Sequence, residues 1–244
     1  MSTLKRFFQD TIIYGVATVV PRLLNFILVP LHTDALGTKD YSVNTTFYIW
    51  AAFFNVLLTY GMETSFFRFF SRAEDKKKVF STSFIALTTT TLLFFGLGMI
   101  FQDAFIRLVD LDPFFFNILF SVLILDTLVV VPFAYLGATN RPIRFASIKL
   151  LNVFVVFAIN IYFIWVVPKF PEVAPQYVLD HYTQKDILSY IFLANLAASG
   201  ITFLILLPYF FKTKIQFSFS LLKQMWKYGW PIMLAGLSFI INEN

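Results

Sequence analysis

The chain predicts an all-α polytopic membrane protein, a six-helix transmembrane bundle followed by the start of a seventh helix. Three observations carry that expectation. The 244 residues are 58% hydrophobic and 14% charged, with a mean hydropathy of +0.74, whereas soluble domains carry about 25% charged residues. Six apolar stretches, 11–36, 44–67, 79–101, 114–138, 145–167 and 188–210, each reach the ~20 residues a bilayer requires. With the N-terminus inside, 14 of the 19 lysines and arginines fall on inner segments and four on outer ones. Arg22, within the first span, completes the total, and the positive-inside rule then orients the bundle.

The first span reads TIIYGVATVVPRLLNFILVPLHTDAL. A charge at the depth of Arg22 costs ~2.5–3.5 kcal/mol on translocon scales, so it faces protein or water rather than lipid. Tyr14, Thr18, Arg22, Asn25 and His32 recur at helical spacing and form one broad polar face. Pro21 and Pro30 each remove a backbone donor, which membrane helices tolerate where neighbours or water re-satisfy the backbone. This span reads as the wall of a hydrophilic cavity. In the second span Tyr48, Asn55, Thr59 and Glu63 share roughly one face, with Arg68 at the inner end. Glu63 and Arg68 read either as snorkelling residues with a local ion pair or as the charged inner rim of a cavity. In the third span the Thr88–Thr91 hydroxyls are expected to bond back to their own helix.

Asp126 lies near the middle of the fourth span, with no lysine or arginine within a helical turn. Two readings stay open: a buried pair with Arg22 that fixes packing, or a site for H+ or Na+ coupling. Lys149, Asn152 and Asn160 share one side of the fifth span, and Lys149 also reads as a snorkelling residue near its inner end. Asn195, Ser199 and Thr202 in the sixth span suit helix-packing contacts, with Gly200 allowing close approach.

The connections are short. The longest outer loop, 168–187, holds three prolines and no hydrophobic run. The Arg72–Lys78 run is a topogenic inner loop. Segment 211–228 reads as a plain linker or a short surface helix carrying Phe217, Phe219, Leu221, Leu222, Met225 and Trp226 among lysines. Tyr14-Gly15 in the first span has a counterpart in Tyr228-Gly229, 214 residues later, as a parallel repeat would. The expected organisation is an N-terminal six-helix lobe over 1–210, a cytoplasmic linker over 211–229 and the start of a second lobe over 230–244.

Several classes of function are set aside. No cysteine is present, so disulfides and thiolate metal sites are excluded. His32 and His181 fall in or near outer loops without metal-ligand spacing, and no phosphate-binding glycine loop occurs. No catalytic residue, cofactor or metal is therefore expected, and the chain does not read as an enzyme. Topology accounts for the basic excess, which leaves no case for nucleic acid. The first apolar segment is too long and too polar for the core of a cleaved signal peptide.

Four stretches resemble the polysaccharide flippases of the multidrug/oligosaccharidyl-lipid/polysaccharide (MOP) exporter superfamily. Tyr14-Gly15 through Arg22, Asn25-Phe26, Pro30 and Thr33 is similar to that family's first helix. Gly61-Met62-Glu63-Thr64-Ser65-Phe66-Phe67-Arg68 resembles its G-x-E-x-x-x-x-R motif. Leu136-Gly137-Ala138-Thr139-Asn140-Arg141-Pro142 resembles its inner loop after the fourth helix, and Tyr228-Gly229-Trp230-Pro231 the opening of its second lobe. Asp40-Tyr41-Ser42 departs from the family's usual Glu-Tyr-Gly. The resemblance implies one lobe of a two-lobe MOP-type transporter in the bacterial cytoplasmic (inner) membrane, its N-terminus cytoplasmic. It also implies alternating access that carries lipid-linked oligosaccharide, of the polyprenyl diphosphate type, to the outer leaflet.

In that picture Arg22, Arg68 and Lys149 contact the diphosphate. Asn25, Asn55 and Asn152 bond sugar hydroxyls, Glu63 belongs to the charged inner rim, and Asp126 couples transport to H+ or Na+. The partners implied are the lipid-linked glycan, membrane lipids and either a second lobe or a second copy of the chain, since the family needs two lobes. Truncation of a longer product is the third expectation for that shortfall. The competing expectations are a drug/cation antiporter of the same superfamily and a non-transporting scaffold for glycan assembly.

Overall fold

A computed structural model describes residues 3–183, 186–211 and 216–243 of the protein, and helix is the only regular structure among them. The main elements are α1 (Thr3–Ala35), α2 (Thr38–Thr59), α3 (Met62–Arg72), α4 (Lys76–Ile100), α5 (Gln102–Val109), α6 (Pro113–Ala138) and α7 (Pro142–Ile161). A π-helical turn, Tyr162–Val166, leads to α8 (Val167–Lys169), and then come α9 (Gln176–His181), α10 (Ile187–Leu206) and α11 (Phe219–Glu243). Lys185, Lys212, Lys214 and Asn244, which entered the charge pattern and the domain bounds, lie outside the described residues.

Five stretches among these residues are helical, long and apolar enough to cross a membrane: Thr11–Ala35, Lys76–Ile100, Pro113–Ala138, Pro142–Lys169 and Ile187–Tyr209. The second of the six expected spans, 44–67, departs from expectation. It is broken at Tyr60 and Gly61, whose φ angles of 36° and 69° are both left-handed. Consecutive left-handed residues cannot continue a right-handed helix, so α2 ends at Thr59 and α3 starts afresh at Met62. Asn44, Thr45, Thr46, Tyr48 and Asn55 also dilute the apolar character of α2. The seventh helix likewise starts earlier than position 230: α11 runs unbroken from Phe219.

The chain forms two compact units, one of Met1–Thr45 with Pro142–Ile201 and the other of Thr46–Arg141 with Thr202–Asn244. The first is built on the packing of α1 against α7. Ala17 and Leu28 of α1 are buried, with Leu36 just beyond its end, as are Ala146, Ile148 and Asn160 of α7.

The second unit packs α3, α4, α6 and α11 together. Lipid tails are as apolar as leucine, so shape and aromatic contacts hold such helices. At its core Phe66 stacks on Phe70 at 4.9 Å, and Tyr135 meets Phe80 edge-on at 5.1 Å. Met62, Leu87, Val131, Ala134 and Met225 fill the same cluster. Asp75 caps α4 by accepting from the backbone N–H groups of Lys77 and Lys78, and Asp112 caps α6 at Phe114. Of the Thr88–Thr91 run, Thr90 and Thr91 bond back to Ala86 and Leu87 of α4 as expected, whereas the buried Thr88 Oγ1 makes no hydrogen bond among the described residues and departs from that expectation.

Candidate functional site

Two contacts fix how α1 lies along α7. Tyr14 meets Phe145 edge-on with ring centroids 5.5 Å apart, and His32 Nε2 lies 2.8 Å from Asn160 Oδ1. Residue numbers rise together from the first contact to the second, so the two helices run parallel. Arg22 is eight residues beyond Tyr14 and Asn152 seven beyond Phe145. At a rise of about 1.5 Å per residue, both stand roughly midway between the two contacts. Lys149 lies about one turn nearer the first contact, and Asn25 about one turn nearer the second. Four of the sequence-predicted residues, Lys149, Arg22, Asn152 and Asn25, thus form a polar ladder on one helix pair.

Arg22, Asn25 and Lys149 are exposed and Asn152 is half-buried. Lys149 Nζ sits 4.7 Å from the centroid of the Phe145 ring, leaning toward the N-terminal end of its helix as helical side chains do. Its ammonium therefore gains a cation–π contact while staying near the seam. Two cations with two amide side chains, set in apolar spans, suit a ligand that is both anionic and rich in hydroxyl groups. Arginine supplies a bidentate fork for phosphate oxygens and lysine a point charge.

His32 lies in the last turn of α1, on the helix whose polar face the sequence assigned to it, with 9% of its surface exposed. Asn160 Nδ2 donates to the Val156 carbonyl at 2.8 Å, which turns Oδ1 toward the imidazole. His32 Nε2 must then carry the hydrogen and donate. The pair is 128 positions apart, and only the polar faces of the two helices hinted at it.

The other predicted residues belong to the second unit. Asn55 is half-buried on α2, and its backbone carbonyl accepts from Thr59 Oγ1 at 2.8 Å. Glu63 and Arg68 are both exposed on α3. The ion pair considered between them is absent, because Arg68 lies over the Tyr228 ring of α11, its guanidinium carbon 4.1 Å from the centroid. Asp126 is half-buried on α6, beside Thr127, whose hydroxyl donates to Leu123 O. Among the described residues no group of three or more histidine, aspartate or glutamate side chains is placed to hold a metal ion.

Comparison with protein-family models, curated proteins and solved structures found no match.

Proposed function

We propose that the chain is a membrane transporter, one six-helix lobe of an alternating-access flippase that moves lipid-linked oligosaccharide from the inner to the outer leaflet of a bacterial cytoplasmic membrane. The observation that supports this most is the ladder of Lys149, Arg22, Asn152 and Asn25 along two parallel apolar helices. Cations are costly at that depth and are retained where they meet an anionic partner. In this reading Arg22 and Lys149 take the diphosphate, Asn25 and Asn152 take sugar hydroxyls, and Arg68 with Glu63 forms the inner rim. Asn55 adds a further sugar contact, and Asp126 holds the coupling H+ or Na+. A cation antiporter would call for acids where the seam carries Arg22 and Lys149.

Arg22→Ala in the source cell, at normal protein levels, is the test. A lost hydrogen bond to a charged group is worth about 1.5–3 kcal/mol, so glycan export should fall roughly 10- to 100-fold, with lipid-linked units accumulating inside. Arg22→Lys should recover part of the export. Undiminished surface glycan in the alanine strain would instead mark a scaffold.

A further inference from the structure

The second unit carries a groove that the ladder does not use. It lies between α4 and α11 and has a volume of about 520 Å3. Ala86, Thr89 and Thr90 line it from α4, and Phe219, Lys223 and Trp226 from α11. Both sets follow helical spacing, so each wall is one continuous stripe. Tyr60 closes the groove: its ring packs on Trp226 at 5.1 Å, and its hydroxyl oxygen lies 3.4 Å from Thr90 Oγ1. The walls are tied together nearby. Gln216 N donates to Ser81 Oγ at 2.8 Å, and Ser218 N donates to Thr82 Oγ1 at 3.2 Å. These bonds join the segment that leads into α11 to the N-terminal part of α4.

The lining is apolar apart from hydroxyl groups and Lys223, and no acidic side chain is among the described residues that line it. Phe219 and Trp226 remain 72% and 46% exposed, the amphipathic and aromatic pattern of a membrane interface. An apolar slot takes a hydrocarbon chain by area, whereas an ammonium at its edge selects the charge of the head. Lys227 is also exposed on α11 but does not line the groove, which makes it an internal control.

We propose that this groove binds one acyl chain of an anionic phospholipid, with the lipid phosphate against Lys223. This site is separate from the α1/α7 ladder and stands whether or not the chain flips glycans.

The test uses the chain in nanodiscs containing either phosphatidylglycerol or phosphatidylcholine with brominated acyl chains, and reads quenching of Trp226 as the difference from Trp226→Phe. Phosphatidylglycerol is expected to quench at about fivefold lower mole fraction, the preference one lysine near an anionic head confers. Lys223→Gln should remove the preference and Lys227→Gln should keep it. Thr89→Phe, which fills the tail space, should weaken quenching by both lipids. Equal quenching by the two lipids in the parent chain overturns the proposal, and so does a preference that survives Lys223→Gln. Quenching that survives Thr89→Phe shows lipid reaching Trp226 from the bulk bilayer. Protection of Trp226 on dimerisation shows that a second copy fills the groove.

Discussion

Gly229→Leu is expected to unseat α11 from α3 and lower stability by about 3 kcal/mol or more. A Cβ at position 229 would lie 2.7 Å from Tyr60 O and 2.8 Å from Ser65 Oγ. Both obstacles are hard to move: Tyr60 is the left-handed corner itself, and Ser65 Oγ already donates to Met225 O at 3.0 Å. Overpacking a tight contact costs about 1–3 kcal/mol and sometimes more, and leucine adds three further carbons. Gly61→Ala should be of similar size. It forces a side chain into φ 69°, where a Cβ would overlap the Gly229 carbonyl, and the left-handed conformation adds roughly 1–2 kcal/mol. Gly15→Ala is the control, because nothing lies within 4 Å of a Cβ there. Thermal unfolding in detergent should show large drops for the first two variants and none for the third. Equal stability of all four proteins would contradict the packing of α3 on α11.

The second large effect concerns His32 and Asn160. Asn160 is fully buried, and Asn160→Leu would strip the acceptor from His32 Nε2–H while keeping the volume. A buried donor left without a partner costs about 1–3 kcal/mol. His32→Leu leaves Asn160 Oδ1 stranded in the same way. The double variant removes both polar groups at once, so it should be less damaged than the sum of the single changes. A double-mutant cycle on unfolding free energy measures that coupling, and additive losses would show that the contact carries no energy.

How much of this was legible in the sequence depends on how far apart the cooperating residues stand. Arg22, Asn25 and His32 share one helix, so helical spacing revealed their common face, and Pro21 and Pro30 did not interrupt it. Lys149 and Asn152 were legible on the same ground. The parallel register that joins the two sets depends on Tyr14–Phe145 and His32–Asn160 contacts more than 120 positions apart, beyond any local pattern. The break at Tyr60-Gly61 was hidden for a similar reason. One glycine in an apolar run reads as helix, and its left-handed turn makes sense only beside the Gly229 backbone of α11. The early start of α11 did have a local signal. Ser218 precedes the apolar run, its carbonyl accepts from Leu222 N at 3.0 Å, and serine before a periodic stretch is a helix-start signature.

In the proposed function the α1/α7 ladder carries a lipid-linked diphosphate across the bilayer. The most direct measurement is transbilayer movement of a fluorescent polyprenyl-diphosphate oligosaccharide in proteoliposomes, read by a quencher confined to the outer solution. The account predicts movement faster than in protein-free vesicles, with Arg22→Ala and Lys149→Ala each slowing it at least about tenfold. Movement no faster than in protein-free vesicles, or a rate unchanged by both substitutions, would contradict it.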